Sequence, residues 1–199
     1  MKTSHRLLFL LLLLAAIPFL RGWSPTTLTV RKDDGVLRVA APNLRFLEGK
    51  TLRRLQDGAG LVFSLQLSLS TDQFRTISRR QLDRYVVSFD LWEEKFAVVR
   101  LGGARQQASH LSKEATERWM FDHTGLPAQG LSPDSAHWVR AELRADDPRD
   151  AGGFLLDPTV TLTRLVEWFG RAQRGEAERW NLEHGPFYPG QLQPGELQR

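Results

Sequence analysis

From Gly60 to Leu101 the chain repeats with a period of two. Leu61, Phe63, Leu65, Leu67 and Leu69 alternate with Val62, Ser64, Gln66, Ser68 and Ser70. Tyr85, Val87, Phe89 and Leu91 continue the pattern, and Phe96 and Val98 resume it beyond the polar turn Trp92-Glu93-Glu94-Lys95. Successive side chains of a strand point to opposite faces, so this spacing gives each strand one apolar and one largely polar face. On a helix the same residues would be scattered around the axis and bury no single stripe. Three such strands commit the chain to a sheet with a covered face.

The flanking segments supply the cover. Residues 26–41 read as a hairpin turning at Asp34-Gly35. Phe46, Leu47, Leu52 and Leu55 predict a helix over 46–57, although Gly49 opposes it. Residues 72–84 form a charged connector, holding either a short helix or an extension of the strands. Over 112–124, Ser112 is placed to cap a helix, Glu114 sits in its first turn, and Ala115 and Trp119 share a face. His137, Val139, Ala141, Leu143 and Ala145 alternate with Trp138, Arg140, Glu142 and Arg144, which predicts another strand. After the loop 146–153, Leu162, Leu165, Val166 and Phe169 predict an amphipathic helix over 159–173. The expected fold is one α+β domain over 26–174, a twisted antiparallel sheet of about six strands with two or three helices packed on it. Residues 175–199 are expected to be an aromatic, Pro/Gly-rich and partly disordered tail.

Residues 1–22 read as a targeting segment. Lys2 and Arg6 precede the apolar run Leu7–Leu20, whose 14 residues fall short of the roughly 20 that span a bilayer. The expectation is a secretory signal peptide, with an uncleaved N-terminal anchor as the alternative. The chain has 27 Lys+Arg against 23 Asp+Glu; removing the leader's three cations leaves 24 against 23. That balance removes most of the electrostatic case for nucleic acid. There is no Cys, which excludes thiol catalysis, Cys-ligated metals and disulfides. The expected location is the periplasm or cell envelope of a bacterium.

The order of these signals resembles a known group. A leader, a hairpin, a helix ending in Gly, the strand GLVFSLQLSLS, the hairpin YVVSFDLWEEKFAVV, a helix and the strand HWVRAELR resemble the uncharacterised exported bacterial proteins of domain-of-unknown-function family 4390 over about residues 26–170. The resemblance implies an envelope location and a non-enzymatic role, and it transfers no site residues.

None of the common nucleophile, nucleotide or zinc signatures occurs. Four constellations have chemistry to weigh. Asp122-His123 offers a general base or half a metal site, against a polar helix end. His110 and Glu114 are four apart but fall on either side of the Ser112 cap. Asp146, Asp147 and Asp150 could gather oxygen around calcium, against an exposed acidic turn interrupted by Pro148. Asp90, Glu93 and Glu94 could act on a glycosidic bond, against a hairpin turn. Of the six Trp, Trp92 at the turn and Trp138 on the charged strand face are the candidate binding residues. The expectation is a binding or interaction module without a catalytic site, metal or cofactor. Its partner would be an envelope protein, or alternatively a lipid or membrane surface, and not nucleic acid. A hydrolase or carbohydrate-active enzyme with an unrecognised site around Asp122 and His123 is the alternative.

Overall fold

The alternating stretch forms strand β3, Leu61–Ser70, at the middle of a six-stranded sheet. The computed structural model describes residues 26–102, 106–146 and 178–192. Around β3 lie β1 (Thr29–Asp33), β2 (Val36–Ala40), helix α1 (Gly49–Gln56), β4 (Arg79–Asp90), β5 (Lys95–Leu101) and β6 (Gln106–Leu111). Helix α2 (Lys113–Asp122), β7 (Gly125–Pro127), β8 (His137–Asp146) and β9 (Glu178–Phe187) follow. The large sheet runs β6-β5-β4-β3-β8-β9, and β1-β2-β7 form a second sheet. Every strand pair is antiparallel. The chain is thus broadly α+β, with nine strands in two sheets and two helices among the described residues. The expected leader (1–22), the acidic positions Asp147 and Asp150, and the expected helix 159–173 lie outside them.

The alternation places the core as expected. Leu61, Phe63, Leu65, Leu67 and Leu69 are fully buried, and Val139, Ala141, Leu143 and Ala145 line up beside them in register. One apolar cluster joins this face to Val30, Leu37, Val39 and Leu126 of the small sheet and to Leu55, Met120 and Phe121 of the helices. The polar side of β3 departs from expectation. Ser68 and Ser70 are buried, because the loop after β3 folds back and Ser70 Oγ accepts the backbone N–H groups of Asp72 (3.1 Å) and Phe74 (3.0 Å). Val62 and Val86 form a second small cluster on that side, with Leu101 against it.

The expected single sheet is replaced by two because the hairpin at Asp34-Gly35 finds another partner. β2 pairs on its free edge with Gly125–Pro127, directly after the segment 112–124 expected to be helical. Glycine is required there, since a Cβ on Gly125 would lie 2.5 Å from Val36 Cγ1. Arg79 of β4 ties the sheets together by donating to the carbonyls of Pro127 and Gln129.

The tail also needs correction. Glu178–Phe187, expected to lie outside the domain, is a ten-residue edge strand on β8. Leu182 and Phe187 are buried, and Thr51 Oγ1 of α1 donates to the Glu178 carboxylate. Leu192 is buried as well, beyond a turn closed by Gln191 N–H on the Tyr188 carbonyl (2.9 Å). The Trp180/Leu182 alternation carried this strand, but the surrounding Gly and Pro masked it. Strand β6 had no sequence signal, because Gln106–Leu111 lacks apolar alternation and is held by backbone pairing to β5.

Both helices differ in detail from their periodicity. α1 starts at Gly49 rather than 46, because the N–H groups of Phe46 and Leu47 are taken by the Glu117 carboxylate at 2.7 and 2.9 Å. α2 is capped as expected, with Ser112 Oγ accepting the Ala115 N–H at 3.2 Å. Its buried residues are Thr116, Glu117, Met120 and Phe121, with Trp119 packed partly buried against the core. Ser112→Ala is expected to cost about 1 kcal/mol, the usual value of such a cap, read as a lower urea midpoint with an unchanged slope.

Candidate functional site

The hairpin between β4 and β5 is built by its carboxylates. Asp90 accepts the N–H groups of Trp92 (2.8 Å) and Glu93 (3.1 Å). The Glu93 and Trp92 amides, in that order, hold the Asp90 carboxyl below its ordinary range. Glu94 takes a left-handed backbone conformation (φ 52°) that completes the turn. Asp90 is therefore occupied in shaping the tip.

Sequence reasoning missed the next contact. His110 sits where β6 slips against β5, between the Phe96/Leu111 and Val98/Ala108 pairs, with a positive φ of 58°. There its Nε2 comes within 2.9 Å of Glu93, and Ser109 Oγ lies 3.0 Å from its Nδ1. Serine, histidine and glutamate stand in a row along a shallow hollow of about 220 Å³ that includes Asp90 and Lys95. The His110 and Glu93 side chains are more than half exposed, and water weakens an ion pair in such a setting. The row links the hairpin tip to β6 through exposed contacts. No sequence pattern could reveal it, because the bulge that aims His110 at Glu93 comes from strand pairing.

Beyond this fastening the tip is apolar and bare. Trp92 is 94% exposed and Leu91 59%. Trp138, the other candidate, lies elsewhere and is half-buried. It packs on β9 so closely that a Cβ on Gly185 would sit 2.7 Å from its Cδ1. Gly185 also has φ 145°, in the range glycine tolerates. The fold thus does not bring Trp92 and Trp138 together, and Trp138 lies against Gly185 with part of its surface still exposed. No family model, curated protein or solved structure matches this chain. The case for function therefore rests on the chemistry of these surfaces.

The other candidate residues have separate partners, and of the three acidic positions 146, 147 and 150 only Asp146 lies among the described residues. Asp122 lies 3.8 Å from Arg31, and its backbone carbonyl accepts from Arg38 at 2.8 Å. His123 instead stacks on Trp119 at 3.8 Å and its Nδ1 meets the Trp119 carbonyl at 2.7 Å. His110 is on β6 while Glu114 engages Ser112 at 3.2 Å. Asp146 accepts from Ser64 and faces Arg144 at 3.6 Å. Among the described residues no three His, Asp or Glu side chains gather as a metal site.

Proposed function

We propose that this protein is a non-enzymatic interaction module of the bacterial cell envelope that grips a protein partner with the tip of the β4–β5 hairpin. The supporting observation is Trp92, almost wholly in water beside exposed Leu91. A large aromatic left bare at a hairpin tip that Asp90 and Glu93 hold in place loses little freedom on binding and desolvates much apolar area. The exported location rests on the leader, and the resemblance to domain-of-unknown-function family 4390 rests on the order of elements alone. The acyl-chain version of binding would need space along the Leu61–Leu69 row, and that row is packed solid.

Trp92→Ala should leave folding stability within about 0.5 kcal/mol of the parent, as exposed substitutions do, while costing about 2 kcal/mol of binding, the size of an interface hot spot. A photo-crosslinking residue at position 92, activated in intact cells, should yield one reproducible protein adduct. Adducts with phospholipid, or no adduct, would overturn the partner assignment.

A further inference from the structure

A second surface has different chemistry. Along one side of α2, residues 114, 118 and 122 fall at four-residue intervals and share a face. Opposite them stand Arg31 of β1 and the segment from Ala40 to Arg45 that follows β2. Between lies a cleft of about 470 Å³, within the range of roughly 300–1,000 Å³ typical of small-molecule sites. Phe121, Ala41 and Pro42 make an apolar lining. Arg31, Arg45 and Arg118 bring three positive charges against the two negative charges of Glu114 and Asp122.

The charges are not equally engaged. Asp122 is spanned by Arg31 at 3.8 Å, longer than a hydrogen bond. Glu114 is drawn to Ser112 Oγ. Arg45 is fixed to the wall, its Nη1 donating to the carbonyls of Pro42 (3.0 Å) and Leu44 (2.9 Å) and lying 3.6 Å from the buried Glu117 carboxylate, which offsets its charge and leaves Arg118 as the uncompensated cation. Arg118 makes no hydrogen bond or ion pair among the described residues and stands exposed at the rim. A planar guanidinium beside an apolar hollow suits a carboxylate held through two parallel N–H bonds.

We propose that this cleft binds a small amphiphilic carboxylate, with its apolar body against Ala41 and Pro42 and its carboxylate on Arg118. The wall opposite α2 is rigid because the buried Glu117 carboxylate takes the amides of Phe46 and Leu47, anchoring the end of that segment to the helix. Neither the apolar body nor the anion alone satisfies the site. A bare anion leaves the lining wet, and a neutral body leaves Arg118 unpaired. The site is separate from the hairpin tip and does not depend on the role given to Trp92.

Octanoate is a direct probe, with octanol and acetate as its two halves. Titrated into the full chain and followed by amide NMR, octanoate should saturate shifts at residues 40–45 and 114–122. Octanol and acetate should each bind at least about tenfold more weakly. Arg118→Glu, at an exposed position, should preserve the rest of the spectrum and weaken octanoate by about tenfold or more, the change expected for one charge-assisted pair. Octanoate shifts lying outside the cleft, equal binding of octanol or acetate, or undiminished binding to the folded Arg118→Glu variant would each overturn the proposal.

Discussion

Phe63→Ala lowers the folding free energy by about 3–5 kcal/mol, the usual loss for a buried aromatic cut back to a methyl group. Phe63 lies in the central strand with no exposed surface. Its ring meets Phe46 at 5.2 Å, and its register neighbours are Tyr85 on β4 and Ala145 on β8. The cavity would thus open where the large sheet meets the segment leading into α1. Tyr85 leaves little room for relaxation. Its hydroxyl is tied to Thr124, its ring meets Trp119 edge-on at 6.0 Å, and burial pushes its ionisation well above the ordinary value of 10.0. Domains commonly have only about 5–15 kcal/mol of stability in total. The variant should therefore show a much lower denaturant midpoint. A loss under 1 kcal/mol would mean that the face centred on Phe63 is not the core.

Glu117→Ala is expected to cost about 2–4 kcal/mol, because it strands the amides of Phe46 and Leu47 in the interior. This carboxylate is buried, one oxygen accepts both amides, and the other faces Arg45 Nη1 at 3.6 Å. Burial raises the Glu117 pKa above 4.5, against the lowering effect of the two amides and of Arg45. The native state then binds the proton more readily than the unfolded chain. Through this group, stability is greatest below pH 4.5 and falls as the pH rises from there through the raised value. Glu117→Gln keeps an acceptor for both amides and has no carboxyl to titrate. It should cost less than the alanine variant and flatten that part of the stability profile. Denaturation of the parent and both variants across this pH range checks the sign. A parent whose stability rises with pH there relative to Glu117→Gln would contradict the assignment.

Glu117 also shows where reading residues in order runs out. On the sequence it is one charged position in a helix whose apolar face pointed to Ala115 and Trp119. Its role depends on amides 70 and 71 residues earlier in the chain. The same holds for Gly125, Glu178 and His110. Gly125 merely followed the expected helix, Glu178 lay in the expected tail and His110 had no partner in view until pairing brought β2, Thr51 and Glu93 against them. The candidate site was half legible. Trp92 at the turn was foreseen, and the clamp that holds its hairpin was not. Trp138 was foreseen on the right face of β8, and the close approach of Gly185 to its ring was not.

What the sequence determined by itself was local and periodic. It set the strands around β3, the leucines that face inward, the Asp34-Gly35 turn and the Ser112 cap, since each depends on side chains a few residues apart. Tertiary structure alone decided the division into two sheets, the edge strand β6, the docking of β9 on β8, the burial of Ser68 and Ser70, and the cleft beside Arg118. Those outcomes depend on which backbone hydrogen-bond donors and acceptors remain unpaired after the local elements form. Every peptide unit carries the same pair, so nothing in the residue pattern names the partner in advance.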